Sequence, residues 1–68
     1  MTFTVEYGQE EDGRWLAEVL QLPGVLAHGN TCGEAAAKAQ ALALRVLADR
    51  LEHGENAYEF VSIPFAAT

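Results

Sequence analysis

From residue 31 to residue 53 the chain contains no proline and consists mostly of alanine, leucine and other strong helix formers. In a chain of 68 residues, this segment commits about a third of the length to one helix. Its start is marked by Thr31-Cys32-Gly33-Glu34, a capping box in which the Thr31 hydroxyl accepts from the backbone N–H three residues on and Glu34 reaches back. Gly54 stands where a C-terminal cap belongs. The predicted helix has about 22 residues and a length of about 33 Å. Everything else in the chain has to supply the surface that covers it.

Outside the helix the hydrophobic period shortens to two. Phe3, Val5 and Tyr7 alternate with Thr2, Thr4 and Glu6, and Trp15, Ala17 and Val19 alternate with Arg14, Leu16 and Glu18. This is the pattern of two half-buried strands. Between them, Gly8-Gln9-Glu10-Glu11-Asp12-Gly13 is polar and bounded by glycine, so it reads as a hairpin loop. Setting Tyr7 against Trp15, Val5 against Ala17 and Phe3 against Val19 brings both apolar sets to one face. Pro23-Gly24 marks a turn, residues 25–28 a short third strand, and Gly29-Asn30 a break before the helix. Residues 58–63, rich in aromatic and β-branched side chains and ending at Pro64, read as the last strand. The expected fold is α+β in the order β-β-β-α-β, a mainly antiparallel sheet with one long helix packed on one face. Residues 1–68 read as a single domain with neither repeat nor linker.

Charge narrows the partners. Ten acidic residues against four basic ones give a net charge of −6, which repels phosphate backbones and anionic membrane surfaces. Direct nucleic-acid binding is therefore not expected. Residues 1–30 carry Glu6, Glu10, Glu11, Asp12 and Glu18 against Arg14 alone, whereas on the helix Glu34, Asp49 and Glu52 balance Lys38, Arg45 and Arg50. The N-terminus lacks a basic region followed by an apolar run, and no stretch approaches the ~18 apolar residues of a membrane span, so a cytoplasmic protein is expected. Cys32 has no second cysteine to pair with, and one cysteine with two histidines is too few for a structural zinc site. A chain of this size buries only about 60% of the surface its unfolded form exposes. With disulfide and metal set aside, oligomerisation is the remaining source of stability.

The helix itself points the same way. At 100° per residue, Lys38, Arg45, Asp49 and Glu52 form one narrow polar stripe and nearly all the rest is apolar. Leu42 and Val46 lie roughly opposite Leu44, Leu47 and Leu51, so one flat sheet does not cover both groups. In the last predicted strand Val61 and Ile63 face one way and Tyr58 and Phe60 the other. Leu44, Leu47, Leu51, Tyr58 and Phe60 are thus the expected interface of a homodimer or higher oligomer.

No residue pattern demands catalysis. Glu6, Glu18 and Glu59 fall on the polar phase of strands, where solvated glutamate is ordinary and a metal site needs more ligands. His28 and His53 lie at opposite ends of the predicted helix, and His53 suits its last turn. Cys32 at the helix start lacks a catalytic base nearby in sequence, and Gly29 and Gly33 form no phosphate-binding loop. The expectation is a non-enzyme with no cofactor and no metal. The acidic residues Glu6, Glu10, Glu11 and Asp12 are the candidate docking surface for a basic protein.

Three blocks then occur in order: Gly13-Arg14-Trp15-Leu16-Ala17-Glu18-Val19, Leu22-Pro23-Gly24-Val25, and Gly29-Asn30-Thr31-Cys32-Gly33-Glu34-Ala35. Together they resemble the signature of the HicB antitoxin family, and the resemblance covers essentially the whole chain. Leu20 stands where many members have proline, and Val25 where many have cysteine. The resemblance implies a partial RNase H-like β-β-β-α-β unit. It also implies an antitoxin that neutralises HicA, a small basic mRNA-cleaving toxin, by direct protein binding. By the same resemblance Leu22, Pro23 and Gly24 set a turn, Trp15 fills the core under the helix, Gly29 precedes the helix and Thr31 with Glu34 caps it. Full-length members usually add a C-terminal DNA-binding domain; none is expected in residues 1–68, nor is operator binding by this chain alone. The alternative is an orphan HicB-like oligomeric scaffold, or a binding module for another protein.

Overall fold

The helix begins at its expected cap. In the computed structural model, which describes residues 2–54 and 64–67, α1 (Cys32–Glu52) follows Thr31, whose extended backbone lets its hydroxyl accept from the Glu34 amide at 3.0 Å. The Glu34 carboxylate turns along the helix instead of back, meeting the Lys38 ammonium at 3.0 Å. At the other end the His53 amide donates to the Asp49 carbonyl at 3.2 Å, and Gly54 follows with a φ of +74°.

The first two strands, β1 (Phe3–Gln9) and β2 (Trp15–Val19), are antiparallel, with Val5 opposite Val19, Tyr7 opposite Ala17 and Gln9 opposite Trp15. This register is two residues away from the expected pairing of Tyr7 with Trp15. The shift leaves every side chain on its expected face because the strand period is two. Its cause is a tighter loop. β1 runs through Gly8 and Gln9, and the chain reverses over Glu11, Asp12 and Gly13. The Gly13 amide donates to the Glu10 carbonyl at 3.0 Å and the Glu10 amide to the Arg14 carbonyl at 2.7 Å. Gly13, with a φ of +90°, supplies the left-handed residue that closes a three-residue hairpin.

β3 (Leu26–Gly29) pairs antiparallel with β2, Ala27 opposite Ala17 and His28 opposite Leu16, one residue later than the expected third strand. Before it, the Val25 amide donates to the Leu22 carbonyl at 3.0 Å across Pro23-Gly24. Gly24 has a φ of +86°, the value a glycine allows at the third position of a Pro-Gly turn. Gln21 clamps this connection to β1: the Thr4 amide donates to Gln21 Oε1 at 2.7 Å, and Gln21 Nε2 donates to Thr4 Oγ1 at 3.1 Å.

The last described strand, β4 (Phe65–Ala67), follows Pro64 and pairs with β1 in parallel, Phe3 opposite Phe65. Pro64 lacks an N–H but still offers its carbonyl, which accepts from the Phe3 amide at 2.9 Å. It therefore leads into the ladder, a permitted place for proline. The expected strand at residues 58–63, with Tyr58 and Phe60, falls outside the described residues. The fold is α+β: among the described residues, a four-stranded mixed sheet in the order β3-β2-β1-β4 with one helix on one face. The mainly antiparallel expectation holds, since β1–β2 and β2–β3 are antiparallel and only β1–β4 is parallel. β4 thus runs in the direction of β1, and hence of β3, while β2 runs the other way.

The helix lies mainly over β3 and β2 and buries Ala35, Ala39, Ala43 and Leu47 against Phe3, Val5, Ala17, Val19, Leu22 and Val25. Its sheet-facing stripe is thus built on alanines, which let helix and sheet approach closely. Leu42 and Val46 pack along one border of that stripe, and Leu47 completes it at 1% exposure. Leu47 is therefore a core residue and not part of an uncovered face, whereas Leu44 (47% exposed) and Leu51 (40%) do lie on one. Trp15 is half-buried at the core's border and does not fill its centre.

Candidate protein-binding surfaces

Opposite the helix, the sheet presents a face that no described element covers. Alternation along the strands sends Thr4, Glu6 and Gly8 of β1, Leu16 and Glu18 of β2, and Leu26 and His28 of β3 to this side. The observed register sets Glu6 directly opposite Glu18, with Leu26 next to Glu18 on the third strand. Like charges directly opposite on antiparallel strands repel each other. Neither carboxylate meets a cation among the described residues. Leu20 and Leu26, 43% and 39% exposed, give the same region an apolar margin.

The acidic residues continue to the hairpin tip. Glu10 shares the face of Glu6, two alternations further along, and its carboxylate lies 3.3 Å from His28 Nε2. Asp12 folds back on Arg14, accepting from its backbone amide at 3.1 Å and from its Nε at 2.9 Å. Glu11 makes no ion pair among the described residues. Of the four acidic residues expected to form a docking surface, Glu6 and Glu10 share the sheet's open face. Glu11 and Asp12 occupy the turn, and the Asp12 charge is already engaged. Glu18 belongs with Glu6, and the register assumed from the sequence hid this by setting Glu6 opposite Leu16. Counting the three-residue loop correctly would have found the pair.

The Arg14 backbone amide beside Asp12 holds its carboxyl below the ordinary value of 3.8, the Arg14 guanidinium adding to the effect. A carboxyl depressed in the folded state stabilises it above the unfolded pKa, and that contribution is lost as pH falls through the folded value. Carbon-detected NMR titration is expected to place the Asp12 midpoint below that of an unfolded peptide, and Arg14→Gln to move it back only part of the way, since the backbone donor remains.

The other side chains singled out by chemistry stay apart. Cys32 is half-buried in the first turn of α1. His53 lies at the far end, its Nδ1 2.7 Å from the Asp49 carbonyl oxygen. Among the described residues no three His, Cys, Asp or Glu side chains gather as a metal site, and no pocket opens on the surface. No helix there is long and apolar enough to cross a membrane. What the described surface offers is an acidic sheet face with exposed leucines at its margin. Comparison with protein-family models, with curated proteins and with solved structures finds no match.

Proposed function

We propose that the chain is a non-catalytic, HicB-like antitoxin module of the cytoplasm that neutralises a HicA-type mRNA-cleaving toxin by binding it directly. The supporting observation is the Glu6–Glu18 pair on the open face of the sheet, uncompensated by any cation among the described residues and continuous with Glu10 at the hairpin tip. A cationic protein surface set against it would neutralise two apposed carboxylates together while covering Leu16, Leu20 and Leu26. The motifs behind the resemblance agree with this reading in being structural. Leu22 is buried, Gly24 takes the left-handed turn position and Thr31 caps the helix, which leaves recognition to the acidic residues between them.

The test mixes the purified chain with a HicA-type toxin and measures native mass and RNA cleavage. A stoichiometric complex that stops cleavage is expected, with Glu6→Lys/Glu18→Lys weakening it while the free chain stays folded. Failure to form any complex with HicA-type toxins, or with the product of any small basic neighbouring gene, would overturn the antitoxin reading in favour of an orphan scaffold of the same fold.

A further inference from the structure

The outer face of α1 carries a second apolar stripe that packing on the sheet leaves uncovered. Ala37, Ala41, Leu44, Ala48 and Leu51 are all exposed and follow one another at spacings of four, three, four and three residues. That is the seam of a heptad repeat, running about 21 Å along the helix. A stripe of this kind fits another helix, because alternating small and large side chains let two axes approach closely and interlock.

The charges argue that the occupant is a second copy. Within α1, Glu34, Asp49 and Glu52 balance Lys38, Arg45 and Arg50, so the entire net charge of −6 lies off the helix. The helix is where two copies of this acidic chain approach without net repulsion. Reversal about Leu44 nearly superposes the stripe on itself: Ala37 falls against Leu51 of the other copy, and Ala41 within one residue of Ala48. Lys38 and Glu52, each one residue beyond a stripe position, then lie on the same flank. In an antiparallel pair like flanks meet, which brings Lys38 of each copy to Glu52 of the other, twice by symmetry. A parallel pair would set Glu52 beside Leu47 of the other copy and Arg45 beside Gln40, with no ionic partner for either. Antiparallel pairing has one repulsive contact, Arg45 with its own counterpart at the axis.

We propose that the chain forms an antiparallel, two-fold dimer through the Ala37–Ala41–Leu44–Ala48–Leu51 face of α1, oriented by Lys38–Glu52 pairs. This uses the side of the molecule opposite the acidic sheet face and does not depend on the toxin reading. Light scattering or sedimentation across a dilution series is expected to give a mass twice that of the 7.3 kDa chain. Leu44→Glu, at a site already about half exposed, is expected to give a folded monomer by circular dichroism, and Leu51→Glu the same. Lys38→Glu is expected to weaken the dimer about tenfold by facing Glu52, Lys38→Glu/Glu52→Lys to restore it, and Arg45→Leu to tighten it. A wild-type monomer throughout the series, or a dimer indifferent to Leu44→Glu and Leu51→Glu, overturns the interface. A double charge swap no tighter than Lys38→Glu overturns the antiparallel orientation.

Discussion

Leu47→Ala is expected to destabilise the protein by about 2–5 kcal/mol, while Leu44→Ala, three residues earlier on the same helix, changes the stability of the dilute monomer by no more than about 0.5 kcal/mol. Leu47 is 1% exposed and is among the largest fully buried side chains, whereas Leu44 is 47% exposed. Truncating Leu47 removes its transfer free energy and leaves a cavity that Ala43, one turn earlier on the same buried stripe, is too short to fill. In a chain of 68 residues the whole stability is of order 3–10 kcal/mol, so the melting temperature should fall by at least ~10 °C. Thermal unfolding followed by circular dichroism at low concentration decides it. Similar losses at both positions would mean that the helix is rotated about its axis from the arrangement described.

Gly29→Ala is expected to cost about 1–3 kcal/mol and Gly33→Ala to stabilise by up to about 1 kcal/mol, although both glycines border the same helix start. A Cβ on Gly29 would lie 2.5 Å from the Ala35 backbone nitrogen and 3.0 Å from the Glu34 carbonyl carbon. These are backbone atoms of the first helical turn, so relief requires moving α1 off the end of β3. Such a movement also strains the Thr31–Glu34 cap, whose 3.0 Å bond depends on the same turn. A Cβ on Gly33 meets nothing within 4 Å and only lowers the entropy of the unfolded chain. Urea titrations of both variants test this directly, the slope reporting whether the unfolding transition is otherwise unchanged. A Gly29→Ala protein as stable as wild type would show that β3 and α1 do not touch at this point.

Local chemistry made the helix legible. Thr31 has one place where its hydroxyl meets a free amide, and Gly54 lies where a left-handed residue is cheapest, so both ends of α1 follow from residues within one turn of them. The faces of β1 and β2 were legible for the same reason, since alternation is a property of each strand alone. The exact pairing was not. It depended on how few residues the hairpin uses, and the acidic stretch after Gly8 concealed that Gly8 and Gln9 belong to the strand. With the register went the Glu6–Glu18 pair, and so part of the candidate docking face.

The sequence by itself determined the element order, the helix and its cap, the turn at Leu22-Pro23-Gly24 and the separation of an acidic remainder from a neutral helix, because these rest on composition and contacts within a few residues. The tertiary structure alone decided that the alanine stripe and Leu47 face the sheet, that β4 follows Pro64 and runs parallel to β1, and that two glutamates meet across the open face. Each of these depends on residues distant in the chain. An apolar helix with two usable stripes has no internal reason to bury one over the other until a sheet is present. The alanines win because their small side chains bring the helix close enough to seal Phe3, Val5 and Val19 from water.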